Sequence, residues 1–294
     1  MGGGVKRKRI FLDCLINCAF GKCTIRDYYL NGFYFLNSRG KRQYISGLEQ
    51  NRLQDVHNDH NMQAILKDKE QTLNLMGEYI SRDWCGQKYH NSRMEYELFE
   101  KKHSLAITKP LDSCGGDGIQ IIEMLSLNTS LFDYCRDRKL LVEELIIQHE
   151  SMRQLYPDAV NTIRIVTVHG KVLDAVLRIG QSGMNVDNLS AGGIACGVDI
   201  STGIVCTVGR DYKGKEYLKQ PDTKITLPGF MIPLWNDCLK LVNETVKKID
   251  GIPVIGWDIA VTENGPTIVE INEGTEIEVF QVPFKKGYRF IWGK

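Results

Sequence analysis

Three oxygen-bearing side chains, Asp258, Glu270 and Asn272, interrupt two apolar, β-branched runs (256–261 and 267–272) that flank the polar stretch Glu263-Asn264-Gly265-Pro266. Side chains alternate faces along a strand, so Glu270 and Asn272 share a face. Whether Asp258 joins them depends on the turn. A two-residue Asn264-Gly265 loop pairs Asp258 with Ile271, whereas a three-residue loop of Glu263, Asn264 and Gly265 pairs it with Glu270. Gly265 suits the left-handed residue that ends a three-residue loop, and Pro266 suits the start of a return strand, so the second register is expected. Two carboxylates and an amide packed in apolar strands repel and lose solvation unless a cation lies among them. Hard oxygen ligands suit Mg²⁺, with Mn²⁺ as an alternative. An edge hairpin with one solvated face would carry the same residues without a metal.

A cation of this kind commonly works on phosphates, and upstream residues suit them. The short strand 105–110 leads through the glycine-rich stretch 112–118 into a second strand, 119–122. A Walker loop or a dinucleotide fingerprint would open a helix instead. Backbone N–H groups of Ser113, Gly115, Gly116 and Gly118 can fold over a triphosphate, with Lys109 adding charge at the strand edge; a long hairpin turn is the plainer reading. Glu143 and Glu144 lie inside the apolar run 140–146, with Glu150 just beyond. Acids there need donors, from an adenine amino group, ribose hydroxyls or a structural Lys or Arg. Strands 161–168 and 172–178 flank the turn His169-Gly170-Lys171, and a three-residue loop puts Arg164 and Arg178 on one face, suited to phosphate charge.

The elements that carry these residues are legible in outline. Helical spacing predicts a helix from Ile10 with Cys14, Cys18, Phe11 and Leu15 on its apolar face, a helix over 61–82 with Asp59 or Asn61 capping it, and another over 233–249. Lys69, inside the second, reads on its own as a solvated lysine. The aromatic stretch 27–35 reads as core, 188–193 as a loop and 197–208 as strand. The 294 residues carry a net charge of +1 and 43% apolar residues, a balance that gives no general reason to expect nucleic acid or membrane as partner. No apolar run reaches membrane-spanning length, the basic start is a poor signal peptide, and Lys6 stands where a myristoylation motif wants Ser or Thr. Nine cysteines without paired spacing read as free thiols in a reducing cytoplasm. Cys114 reads as a small loop residue and the six histidines are scattered, so no covalent nucleophile is expected.

The order of these parts resembles the ATP-grasp superfamily. It is similar above all to the sugar-transfer-associated ATP-grasp family, through Asp68-Lys69-Glu70, Arg82-Asp83-Trp84 and the hinge Val142-Glu143-Glu144, while the loop 188–193 and the hairpin from Asp258 to Asn272 also resemble ligases that add glutamate to a protein terminus. The resemblance, over about residues 60–294, implies an α+β ATP-grasp fold: two α+β subdomains clasping ATP, with a variant helical and aromatic N-terminal region. It divides the chain into 1–60, a helical lead-in over 61–104, subdomain 1 over 105–150 and subdomain 2 over 151–294. It makes Lys69 and Lys109 the nucleotide-binding lysines and lays Ser113 to Gly118 over the phosphates. Glu143, Glu144 and Leu145 would read adenine and Glu150 would hold ribose. Arg164, Arg178 and Asn188 would face the γ-phosphate and acyl group, with Asp258, Glu270 and Asn272 on Mg²⁺. Many relatives continue with a Pro-Gly loop after the last ligand, whereas here Glu273-Gly274-Thr275-Glu276 follows. The implied activity is an ATP-dependent carboxylate–amine ligase acting through an acylphosphate on a small-molecule or sugar carboxylate in surface polysaccharide synthesis. A kinase acting on a hydroxyl and a non-catalytic nucleotide-binding module are the alternatives.

Overall fold

A computed structural model describes residues 7–20, 23–112, 118–184 and 187–293. The strands β1 (Trp84–Cys85), β2 (Leu105–Pro110), β3 (Gln120–Glu123) and β4 (Leu140–Glu144) form an antiparallel sheet in the order β1-β4-β2-β3. A second antiparallel sheet runs β11-β10-β5-β6-β7-β8-β9. It is built from β5 (Ile163–Val168), β6 (Lys171–Ile179), β7 (Ile194–Val198), β8 (Gly209–Arg210), β9 (Glu216–Tyr217), β10 (Val254–Thr262) and β11 (Gly265–Asn272).

Period-two alternation decides what each sheet face does. In β4, Leu140 and Val142 join Ala106, Phe99 and Leu131 in a core beneath the helices Arg93–Lys102 and Leu131–Arg138. Leu141 and Glu143 line a cavity on the opposite side. In the large sheet, Ile163, Ile165, Leu177, Ile255, Trp257 and Ile259 build the core that also takes in the helix Trp235–Thr245. Val166, Val176 and Val254 build another with Phe280 and Ile45. Arg164, Arg178 and Asp258 alternate with the first set and share the second face.

Both functional hairpins reach the expected register by a different route. β10 and β11 join through a two-residue turn, Glu263-Asn264, because Thr262 pairs with Gly265. Left alone, that turn would set Asp258 against Val269. A bulge between Ile259↔Ile268 and Asp258↔Glu270 adds one residue and restores the pairing of the two carboxylates. The β5–β6 turn is likewise two residues, His169 (φ 47°) and Gly170 (φ 75°), the left-handed pair of a type I′ turn. A second bulge, at Val166/Thr167 against β6, again recovers the register that places Arg164 and Arg178 on one face.

Other expectations need correction. The 61–82 helix is two helices, His60–Lys67 and Lys69–Met76, because Asp68 ends the first and accepts hydrogen bonds from Glu70 N and Gln71 N (3.1 Å each) as cap of the second. Asp59 caps the first helix, accepting from Met62 N at 2.8 Å. The 197–208 strand stops at Val198: the Asp199 carboxylate accepts from Ser201 N (2.9 Å) and Thr202 N (3.1 Å) and folds the chain into a turn. In the helix Arg7–Ala19, Cys14 is buried but Phe11 and Leu15 are exposed. Of the aromatic stretch, Tyr28 and Phe33 are core while Tyr29 and Phe35 face outward.

The N-terminal segment is woven into the large sheet's second face. Gln281 brackets Ile45, accepting from its N–H and donating to its carbonyl at 3.0 Å each. Gln50 donates to the Thr275 carbonyl and accepts from Ile277 N at 3.1 Å, clamping the loop that follows β11.

Candidate nucleotide and metal site

Between the two sheets lies a cavity of about 460 Å³. β2 and β4 contribute Ile107, Lys109, Leu141 and Glu143, the segment after β4 adds Leu145 and Ile146, and β11 adds Ile268, Glu270 and Asn272. Apolar walls with a few charged groups suit a ligand that has a flat apolar ring at one end and anionic groups at the other.

Lys69 is placed by the Asp68 cap, which makes it the first residue of its helix; its Nζ donates to the carbonyls of Pro110 (3.0 Å) and Leu111 (3.2 Å). It therefore reaches the end of β2, where the glycine-rich stretch begins. Ser113, Gly115 and Gly116 lie outside the described residues. Gly118 has a φ of +71°, and a Cβ there would come within 2.7 Å of Pro110 Cγ, so this end of the stretch admits only glycine.

Glu143 is buried and its carboxylate is already engaged, by Arg82 Nε and by Lys109 Nζ at 2.6 Å. Burial alone would raise its pKa, but the two cations outweigh burial and draw it down to about 2. A structural Arg and Lys thus hold both of its oxygens, and Glu143 lines the cavity beside Leu141 and Glu144. Glu144 accepts from Asp83 N at 3.0 Å, and both it and Leu145 line the cavity. Glu150 is exposed and turned toward Arg153 and Gln154 on its own helix, so the structure does not bring it together with the residues that line the cavity.

Asp258 lies opposite Arg164 in the β10–β5 pairing. Arg164 grips it with Nε and with Nη2 at 2.8 Å, and Arg178 Nη2 reaches the same carboxylate at 3.1 Å. Burial pushes Asp258 up, while Arg164 and Arg178 hold it below the usual carboxylate range. Arg178 is itself aimed by Thr162 Oγ1, at 3.0 Å from Nε, and by Asp187, at 3.3 Å. Arg178, Asp187 and Asn188 line the cavity, while Arg164 stands behind them, its Nη1 donating to Thr275 Oγ1 at 3.1 Å. Arg164 thus positions Asp258 and the loop after β11 rather than facing a ligand, a correction to its expected place.

Glu270 faces the cavity opposite Asp258. Glu270 keeps an exposed edge toward the cavity, yet the protein atoms crowding it and the Asp258 charge raise its pKa, and Arg164, Lys109 and Arg178 oppose this only in part. Asn272 follows two residues on, its Nδ2 buried without a hydrogen-bond partner. Two carboxylates facing each other across the hairpin, with the Asn272 side chain two residues on along the same face, make a set of oxygen donors that fits a hard divalent cation, which would relieve the repulsion. Asp258 would share its oxygens between that cation and the arginines.

Arg82 is a further buried residue that supports the site from behind. Besides Glu143, it donates to the carbonyls of Ile268 and Val269 at the β11 bulge, and so spans the two sheets behind the cavity. Nothing in its spacing separates a buried arginine from a solvated one.

Two sheets closing on a cavity with two lysines, an arginine and a carboxylate hairpin define an ATP-grasp fold. The family model described as "sugar-transfer associated ATP-grasp" matches residues 124–290, more than half of the chain, and the chain belongs to that family. No curated protein sequence matches it. Among solved structures it is similar to the ATP-grasp ligase PsnB complexed with a precursor variant, Mg and ADP, at 13% identity and TM-score 0.46, covering 76% of this chain and 56% of that one. It therefore spans little more than half of the PsnB chain. It is also similar to D-alanine–D-alanine ligase from Bacillus anthracis, at 14% identity and TM-score 0.44, covering 83% and 76% of the two chains. D-cycloserine synthetase DcsG matches at 11% identity and TM-score 0.45, covering 78% and 69%.

Proposed function

We propose that this protein is an ATP-dependent carboxylate–amine ligase. The observation that carries the reading is the convergence of Lys69, Lys109 and Arg178 with Glu270 and Asn272 around one cavity between two sheets. Adenine would lie against the apolar wall of Leu73, Leu141, Leu145 and Ile146, with the phosphates extending toward Lys69, Lys109 and Arg178. Asp258, Glu270 and Asn272 would hold Mg²⁺, or Mn²⁺, which when bound neutralises charge on the triphosphate.

In the first step an oxygen of the substrate carboxylate attacks the γ-phosphorus and ADP leaves. Arg178, locked by Thr162 and Asp187, offers its guanidinium to the charge spreading over the transferring phosphoryl group without having to reorient. In the second step an amine attacks the acyl carbon of the acylphosphate, inorganic phosphate leaves, and the amine's proton passes to solvent. Asn188, on the tight loop whose carbonyl accepts from Gly193 N at 2.9 Å, borders the space where these groups would meet. The family's name motivates a sugar acid or amino acid in surface polysaccharide synthesis as the carboxylate.

The test is ADP and phosphate release over a panel of carboxylate and amine pairs, including uronic acids and amino acids. Release that requires both partners and yields an amide supports the ligase. A stable phosphorylated product formed without any amine makes the protein a kinase. Nucleotide binding without turnover across the panel leaves only the binding module.

A further inference from the structure

The helix Arg7–Ala19 lies on the protein with its apolar side outward. Its buried residues are Cys14, which packs with Tyr28 and Phe33, and Asn17, which donates to the Asp13 carbonyl at 2.7 Å, whereas Phe11, Leu12, Leu15 and Ile16 are 61%, 58%, 46% and 52% exposed. At about 100° per residue these four fall within an arc of roughly 140°. Arg7, Lys8 and Arg9, all exposed, sit at the N-terminal end of that arc: Lys8 projects over its middle, and Arg7 and Arg9 over its borders.

The charge of this part of the sequence is one-sided, which the chain's overall balance conceals, even with Arg26 and Lys41 taken up by Glu278 and Asp13. Residues 7–42 hold eight Lys or Arg against two acids, Asp13 and Asp27, although the whole chain is only +1. Neither acid is available to a partner. Asp13 is engaged by Lys41, Tyr28 and Asn17, and Asp27 is buried.

An exposed apolar stripe with a basic rim is the pattern of a helix that lies in a membrane interface, its apolar side among acyl chains and its cations among headgroup phosphates. A second copy of this face would supply the apolar half of the contact but no free carboxylate for the three cations, whereas anionic lipid supplies both. We propose that the helix Arg7–Ala19 docks the protein on an anionic lipid surface. Phe11, Leu12, Leu15 and Ile16 enter the acyl boundary, and Arg7, Lys8 and Arg9 meet phosphates.

The test is co-sedimentation of the full chain with vesicles of phosphatidylcholine alone and of phosphatidylcholine with about one quarter phosphatidylglycerol. Three surface cations favour the anionic vesicles by at least roughly tenfold, less so as salt rises. Replacing the exposed pair, Leu12→Gln with Ile16→Gln, removes binding to both vesicle types and leaves the circular dichroism spectrum and thermal midpoint unchanged. Replacing Arg7, Lys8 and Arg9 by Gln removes the preference for phosphatidylglycerol. Wild-type protein that stays in the supernatant with both vesicle types, or that sediments as well after L12Q/I16Q as before, overturns the proposal. So does a lipid-free dimer that the same pair of substitutions disperses, which would assign the face to a second copy.

Discussion

Glu270 is where stability and the proposed function pull apart. Its folded pKa is raised, so the unliganded protein is favoured with Glu270 protonated and loses that contribution as pH rises from the ordinary glutamate range through the folded value. A cation bound there needs the ionised form and displaces the proton. Mg·nucleotide affinity should therefore increase with pH over the same interval, and calorimetric heats should vary with the ionisation enthalpy of the buffer. Glu270→Gln should raise the unliganded thermal midpoint and weaken Mg²⁺-dependent nucleotide binding by at least about tenfold. A variant that binds Mg·ADP as the parent does would remove Glu270 from the metal set. The sequence named this residue because a lone acid in an apolar strand stands out. It could not tell Arg164, which backs the site, from Arg178, which lines it, because both sit at the same parity on paired strands. Their difference is depth, fixed by Thr275 on one side and by Thr162 and Asp187 on the other.

At the scale of elements, the hairpins show why register is harder to read than composition. The carboxylate pairing was legible because only one parity brings Asp258 to Glu270, but the route was not. A two-residue turn with a bulge and a three-residue turn without one give the same register further along, and side-chain pattern does not separate them. The β11 bulge lies where Arg82 meets the carbonyls of Ile268 and Val269, so that one guanidinium joins β4 of the small sheet to β11 of the large one. Arg82→Gln would leave Glu143 buried with Lys109 as its remaining cation, at an expected cost of about 3–5 kcal/mol in urea unfolding at neutral pH. Acid should reproduce part of this loss in the parent. The Glu143 pKa is lowered from 4.5 to about 2, so its contribution, about 3 kcal/mol, is intact above pH 4.5 and disappears as pH falls toward 2. If the stability of parent and Arg82→Gln stayed parallel through that range, the strut would not be ionic.

For the molecule as a whole, the N-terminal residues read as a family-variable addition, yet they hold the loop after the β10–β11 hairpin and close one face of the large sheet. That role was not legible because its contacts are single polar groups far apart in sequence, such as Gln50 with Thr275 and Gln281 with Ile45. A third such contact is titratable. Arg26 Nη2 reaches Glu278 at 2.7 Å and the Oδ1 of the neighbouring, buried Asp27 at 3.5 Å. Burial and Asp27 raise the Glu278 pKa to about 7 against the pull of Arg26, while hydrogen bonds from Thr24 help keep Asp27 ionised despite its burial. Protonated Glu278 can donate to Asp27; ionised, it repels it. Because the folded pKa is the higher one, the attachment is strongest below pH 4.5 and weakens as pH rises to about 7 and beyond. This opposes the acid limb set by Glu143, so the parent should be most stable between the two. Glu278→Gln keeps the acceptor for Arg26, offers Asp27 a permanent donor and removes the titration. Its thermal midpoint should exceed the parent's at pH 8 and match it near pH 5. Equal pH profiles for the two proteins would show that the Asp27–Glu278 pair does not govern how firmly the N-terminal layer is held.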